Sequence, residues 1–377
     1  MNEMEPKELG PKELEAKKKV VNAGIRLVAS GLIARTWGNV SCRISDTHFV
    51  ITPSGRDYLT LSPSDIVRVA ISNLSYEGNI TPSGEKGLHA EIYARCPDIN
   101  FVIHTHQENA SVLSALGLDS FPASSTYPLL GGKVLCTPYA LPGTKKIRRG
   151  VADALQVATG NALILNNHGA ICFGKDDQEA FRVAAELEAA SDAFIGDKYS
   201  APSAIEKTFS SRRTANGFLV NIPGRECLEV DMRESLGVFP RDLDAHLAIY
   251  KECKEINFVH HIASANILSY SRTSTTAPLL PLVDDFAQII GTRVTTVDGN
   301  PKKITDALKN TSAVFIENHG ALCCGTSDLD AKAVEMILEK CCKASLCGEL
   351  FGGAKPISWL DSKLLRRIYL KKYSKQI

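Results

Sequence analysis

Apolar and polar positions change their period several times along this chain, and each change marks an element. From 13 to 34, Val20, Val21, Gly24, Ile25, Val28 and Leu32 fall near the helical repeat and predict a helix. A glycine-containing turn at 36–41 (TWGNVS) enters a strand, and a hairpin follows through SCRIS, Asp46-Thr47 and HFVITPSG, closed by the polar turn Pro53-Ser54-Gly55. Ser62-Pro63-Ser64-Asp65 reads as a cap for a short helical turn, and 67–80 alternates as strands. Helices are predicted again over 107–116, 144–159 and 177–194. Between them, 122–138 mixes loop and strand around Gly131-Gly132, and 162–165 is an apolar strand running into Asn167-His168-Gly169.

The segment 82–106 carries the most information. A polar turn ending in Gly84 delivers Glu85 to a helical stretch with Leu88, Ile92 and Tyr93 on one side. Cys96-Pro97-Asp98 stops that helix, because proline cannot continue it and biases the preceding residue away from helical angles. The strand Phe101-Val102-Ile103 then ends in His104-Thr105-His106. Side chains alternate across a strand, so the two imidazoles point the same way.

The pattern then returns. LHAEIYARCPDINFV at 88–102 and AHLAIYKECKEINFV at 245–259 agree at eight of fifteen positions, and LILNNHGAICFG at 163–174 and VFIENHGALCCG at 314–325 at six of twelve. Offsets of 157 and 151 residues, in the same order, indicate an internal duplication. We therefore expect a first domain over 13–196, a polar linker over 197–216 and a second domain over 217–377. Without gaps, Glu85 falls on Asp242, His104 on His261, His106 on Ala263 and His168 on His319. His260 and His261 are adjacent and face opposite sides of a strand, so they do not replace the H-x-H pair. No counterpart of the TWGNVS turn is visible. The second domain is expected to be degenerate and non-catalytic.

Composition narrows the reading without redirecting it. At 377 residues two domains are the natural prior, and 44% apolar and 23% charged residues are ordinary for a globular protein. A net charge of +1 supplies no field for nucleic acid or membranes. The charged N-terminus is no signal peptide, and no apolar run reaches membrane-helix length. Eleven cysteines without a C-x-x-C pair suit reduced thiols, hence a cytoplasmic location. The basic C-terminus LLRRIYLKKYSK reads as a solvated amphipathic helix.

Two constellations carry chemistry. Glu85, His104, His106 and His168 offer three imidazoles and one carboxylate, a donor set suited to zinc and compatible with manganese or cobalt. Asn39, Ser54, Gly55, Ser83 and Gly84 lie in polar glycine turns whose N–H groups and hydroxyls suit an anion; Ser83-Gly84 also opens a helix, where the dipole favours phosphate.

With these residues assembled, 13–195 resembles the class II aldolase/adducin family, through TWGNVS at 36–41, ITPSG at 51–55, PSGE at 82–85, LH..IY...PD at 88–98, V-x-H-x-H at 102–106, GG at 131–132, PYALPGT at 138–144 and NHG at 167–169. The resemblance implies an α/β fold: a three-layer α/β/α domain around a central, largely antiparallel sheet, present twice in tandem. It implies that His104, His106, His168 and Glu85 bind zinc, that Glu85 leaves the metal to act as acid/base, and that Asn39, Ser54, Gly55, Ser83 and Gly84 hold a phosphate. Gly84 stands where the aldolases usually carry a second serine. Tyr127 is the candidate proton donor, working from a neighbouring subunit, although it lies two residues closer to the glycine pair than in the aldolases. The expected reaction is reversible cleavage of a ketose phosphate to dihydroxyacetone phosphate and an aldehyde. Epimerase, dehydratase and decarboxylase relatives share the histidines. Epimerases carry aspartate at the position of Glu85, which favours the aldolase. A non-catalytic, adducin-like assembly protein is the alternative of a different class. The family also implies homo-oligomers, here a pseudo-four-fold ring of two chains.

Overall fold

Strand alternation and the helical period resolve into two copies of one layered unit. The structure, a computed structural model, describes residues 10–33, 37–201, 208–237, 241–273 and 277–373. Thr36 and part of the expected linker (202–207) lie outside them. Two compact units divide the chain: the first ends at Phe194, and the second runs from Ile195 and takes in Ala115–Gly117.

The first unit contains helices α1 (Pro11–Ala29), α2 (Lys86–Arg95), α3 (Glu108–Ala115), α4 (Lys145–Ala154) and α5 (Asp177–Gly196). Its strands are β1 (Asn39–Arg43), β2 (His48–Ile51), β3 (Val67–Ala70), β4 (Phe101–Thr105), β5 (Ser120–Pro122), β6 (Lys133–Thr137), β7 (Ala162–Leu165) and β8 (Gly169–Gly174). They form one sheet in the order β3-β2-β1-β4-β8-β7-β6-β5, in which β6 and β7 run parallel and every other pair is antiparallel. The parallel pair needs a crossover, and α4 supplies it. One face of the sheet packs Ile51, Val69, Val102, Leu163 and Ile171 against Leu88, Ile92 and Tyr93 of α2 and Ile147 and Val151 of α4. The opposite layer holds α1, α3 and α5: Arg26 lies over the Phe181 ring, and Glu188 accepts from the amides of Asn109 and Ala110. The expected three layers around a largely antiparallel sheet are present.

The second unit repeats the plan. Its strands are β9 (Thr208–Arg213), β10 (Gly217–Asn221), β11 (Leu228–Asp231), β12 (Phe258–Ile262), β13 (Thr296–Val297), β14 (Ala313–Ile316) and β15 (Gly320–Gly325), in the order β11-β10-β9-β12-β15-β14-β13. Its helices are α6 (Arg241–Glu252), α7 (Ala265–Thr273), α8 (Pro301–Leu308), α9 (Asp328–Gly348) and α10 (Trp359–Ile368). Helices α6 and α8 cover one face through Leu247, Tyr250, Ile304 and Leu308. No described helix is long and apolar enough to cross a membrane.

One expectation needs correcting here. The stretch read as linker carries β9, which pairs with β10 and β12 near the middle of the second sheet. Its residues TFSSRR are too polar to signal a strand, and it is held by its neighbours on both sides. β9 is also the missing counterpart of β1, with Ser211 and Arg213 standing where β1 has Ser41 and Arg43.

Candidate metal centre

Four elements deliver the chemistry-bearing side chains of the first unit to one place. His104 sits on β4, and His106 follows one residue past its end. His168 occupies the tight turn between β7 and β8, where Asn167 adopts a left-handed conformation (φ 58°) that asparagine tolerates better than most residues. Glu85 caps the start of α2, with Ser83 Oγ accepting from its amide at 3.2 Å. Asn39 opens β1 directly opposite His104. Gly169, lacking a Cβ, lets β8 run close to the Thr105 carbonyl between the rings of His104 and His106.

The three imidazoles are buried, and their potential ligand atoms all lie within 4.8 Å of one another. His104 Nδ1 donates to the Ala170 carbonyl at 2.8 Å, which leaves Nε2 as a bare lone pair. That lone pair faces His106 Nε2 at 2.9 Å. Two imidazole nitrogens turned on each other need a proton or a cation between them. Glu85 completes the set: Oε1 lies 2.8 Å from His168 Nε2, and Oε2 lies 3.4 Å from His104 Nε2. Asn39 Nδ2 also donates to Oε2 at 2.8 Å. This donor set fits a divalent metal, and a fixed His104 tautomer is the usual companion of a ligating imidazole.

Burial holds His104 well below the usual histidine range; Glu85 pulls the other way, and His168 and His106 reinforce burial. Burial alone would raise the Glu85 carboxyl. The neighbouring His104 and His168, with hydrogen bonds from His168 and Asn39, outweigh it and keep the group well below the ordinary carboxylate range. An anionic carboxylate therefore faces the neutral imidazole of His104.

The glycine turns also meet. Pro53 and Pro82 bridge, the Ser54 amide donates to the Thr81 carbonyl and the Ser83 amide to that of Thr52. Ser54, Gly55, Ser83 and Gly84 thus belong to two stitched loops beside the start of α2. The side-chain amide of Asn39 is engaged by Glu85 and His89. Tyr127 is half-buried in the turn after Ser124, and no hydrogen bond or ring contact joins it to Glu85 or the histidines among the described residues. His89 escaped the sequence reading, although it is one of the identities in the internal repeat.

In the second unit the equivalent positions form no such three-imidazole cluster among the described residues. Ala263 has no imidazole, and Phe209 stands where Asn39 stands in β1. His261 turns Nε2 onto the His319 carbonyl at 2.9 Å. His319 is exposed, with Nδ1 donating to the Glu317 carbonyl at 2.8 Å, although Asn318 repeats the left-handed turn (φ 62°).

Residues 18–195 and 206–346 both match the family model described as the Class II Aldolase and Adducin N-terminal domain. A 5-deoxy-D-ribulose 1-phosphate aldolase of Bacillus thuringiensis serovar kurstaki is 32% identical over 173 residues, which cover 46% of this chain and 80% of that protein. An L-fuculose 1-phosphate aldolase of known structure is 30% identical and aligns over 51% of this chain and 90% of its own, with a TM-score of 0.46. The L-fuculose-1-phosphate aldolase from Thermus thermophilus is 27% identical over 48% of this chain and 95% of its own, with a TM-score of 0.42.

Proposed function

Because this chain belongs to the class II aldolase and adducin N-terminal domain family, we propose that its first unit is a zinc-dependent lyase that splits a ketose phosphate reversibly into dihydroxyacetone phosphate and an aldehyde. The observation that carries the reading is the cluster of three buried imidazoles, two of which face the Glu85 carboxylate.

His104, His106 and His168 would hold the metal, with Glu85 as fourth donor; manganese or cobalt is chemically compatible. The bound cation supplies Lewis-acid stabilisation of the negative charge that develops on substrate oxygens. In the condensation direction the anionic Glu85 takes the proton from the dihydroxyacetone phosphate carbon that forms the C3–C4 bond, and in cleavage the protonated Glu85 returns it to the carbon left electron-rich. Asn39 holds it in place by its hydrogen bond. The phosphate is proposed to lie on the loops of Ser54, Gly55, Ser83 and Gly84. The Ser54 and Ser83 amides are committed to stitching those loops, so the Ser54 and Ser83 hydroxyls and the Gly55 and Gly84 amides are the donors offered. Tyr127 is proposed to protonate the aldehyde oxygen at the site of a neighbouring copy. The second unit is proposed to serve assembly of a cytoplasmic homo-oligomer.

The test is metal content per chain by elemental analysis, with release of dihydroxyacetone phosphate from 5-deoxy-D-ribulose 1-phosphate and L-fuculose 1-phosphate. Near one zinc per chain, lost in His104→Ala, together with turnover supports the reading. No metal after metal-replete purification sinks it and leaves an assembly protein.

A further inference from the structure

We propose that His89 is a positioning residue: it fixes the amide orientation of Asn39 and, through it, the carboxylate of Glu85. The inference rests on Glu85 being the working carboxylate of the proposed lyase.

His89 lies on α2, fully buried beneath the cluster. Its Nε2 is 2.5 Å from Asn39 Oδ1, and its Nδ1 is 2.6 Å from Ser41 Oγ, which is in turn 2.7 Å from the Tyr93 hydroxyl. The direction of every bond follows from one end. Asn39 turns its Nδ2 toward Glu85 Oε2 at 2.8 Å, and its Oδ1 therefore faces His89. An amide oxygen only accepts, so His89 Nε2 must carry the proton. A neutral ring then leaves Nδ1 as acceptor, Ser41 donates to it, and Tyr93 donates to Ser41. Burial supports this neutral form, pushing His89 down to about 3 against the opposing charge of Glu85. The chain of donors runs Tyr93, Ser41, His89, Asn39, Glu85, with each inner group accepting from the one before it and donating to the next.

The second unit separates this role from simple bracing. Ser211 Oγ lies 2.6 Å from His246 Nδ1 and 2.8 Å from the Tyr250 hydroxyl, so the buried trio is repeated. Phe209 replaces Asn39 and stacks on the His246 ring at 5.0 Å, and His246 Nε2 has no hydrogen-bond partner among the described residues. A brace between helix and sheet therefore does not require the Nε2 bond. That bond is present in the unit where an asparagine and a carboxylate lie beyond it.

The experiment compares the full chain with His89→Phe, His89→Gln, Asn39→Asp and His246→Phe. Each is followed by thermal melting, zinc affinity in competition with a chelator, and kcat and KM on a ketose 1-phosphate. His89→Phe keeps the ring volume without its nitrogens and is expected to weaken zinc binding by about 10- to 100-fold and to lower kcat on the same scale. His89→Gln returns an N–H donor and is expected to recover most of both. Asn39→Asp keeps the acceptor for His89 but removes the donor to Glu85, and is expected to fail as His89→Phe does. His246→Phe lowers melting but leaves zinc affinity and kcat unchanged. Folded His89→Phe with wild-type zinc affinity and kcat overturns the proposal. If that variant does not fold, wild-type values in Asn39→Asp overturn it instead. Wild type that binds zinc but cleaves no ketose phosphate sinks the lyase reading alone, and the zinc affinities still decide the role of His89. Wild type that binds no zinc overturns both.

Discussion

Gly169→Ala tests the geometry of the centre without touching a donor atom. A Cβ built on Gly169 would lie 2.4 Å from the Thr105 carbonyl oxygen and 3.4 Å from both His104 Cε1 and His106 Cδ2. The short contact is with backbone, so no side chain can swing away to relieve it. Restoring ordinary van der Waals separation requires β8 and β4 to part by about 1 Å. Such overpacking costs about 1–3 kcal/mol. In a unit of this size each kcal/mol lowers the melting temperature by about 2–4 °C, so a fall of about 2–12 °C is expected. The parting strands carry His104, and His168 immediately precedes β8. Misplacing reacting groups by about 1 Å can cost about 100-fold in rate, or about 2.7 kcal/mol of barrier. The assays are a melting curve, chelator competition for zinc, and the initial rate of dihydroxyacetone phosphate release. Gly320→Ala is the control: its Cβ would meet the Ile262 carbonyl at 2.1 Å, with φ at +89°. It should destabilise the second unit while zinc affinity and rate stay unchanged. Gly169→Ala with wild-type melting, zinc affinity and rate would refute the argument that this close approach sets the centre.

Glu85→Gln retains the shape but cannot take a proton, and kcat should fall by about 100- to 10,000-fold with melting little changed; near wild-type kcat would remove Glu85 from the chemistry. His260 predicts a pH dependence of stability in the second unit. Burial opposes its charge, but Glu335 and Asp328, at 3.2 and 3.0 Å, more than offset this and raise it above the ordinary value. Its contribution is therefore fully present below about pH 6.5 and is lost as pH rises through the raised value. Melting should fall from acid toward alkaline pH across that window, and His260→Asn should flatten the trend. Arg43 donates to the carbonyls of Ile99, Tyr93 and Cys96, and Arg213 repeats this on Ile256, Tyr250 and Cys253. Lysine cannot reproduce the fork, so Arg43→Lys and Arg213→Lys should each cost about 1–3 kcal/mol in denaturant titrations; an unchanged midpoint would argue against the staple.

Local rules made His104 and His106 legible, because a strand period places both on one side. The duplication was legible because identity at fixed offsets needs no fold. Strand β9 was not: Thr208–Arg213 offers little apolar alternation, and its place depends on two neighbours distant in sequence. The fate of His319 was equally hidden. Asn-His-Gly repeats in both units with the same backbone turn, yet His168 faces Glu85 while His319 faces solvent. A histidine's direction here depends on whether an acceptor has been brought to it across the unit. His89 did leave a signal: His89 and Tyr93 recur as His246 and Tyr250, but imidazole and phenol on a helix say nothing of Ser41 until the sheet is assembled.

Where the first copy has Asn39, His106 and Glu85 the second has Phe209, Ala263 and a shorter carboxylate at Asp242, while Ser211, His246 and Tyr250 keep the buried trio and Arg213 keeps its bonds to backbone carbonyls. Architecture and donor set thus fall largely on different positions, and His89 is the one that belongs to both. Substitutions at one end of the sheet can therefore change the donor set while the bonds that tie helix to sheet stay in place.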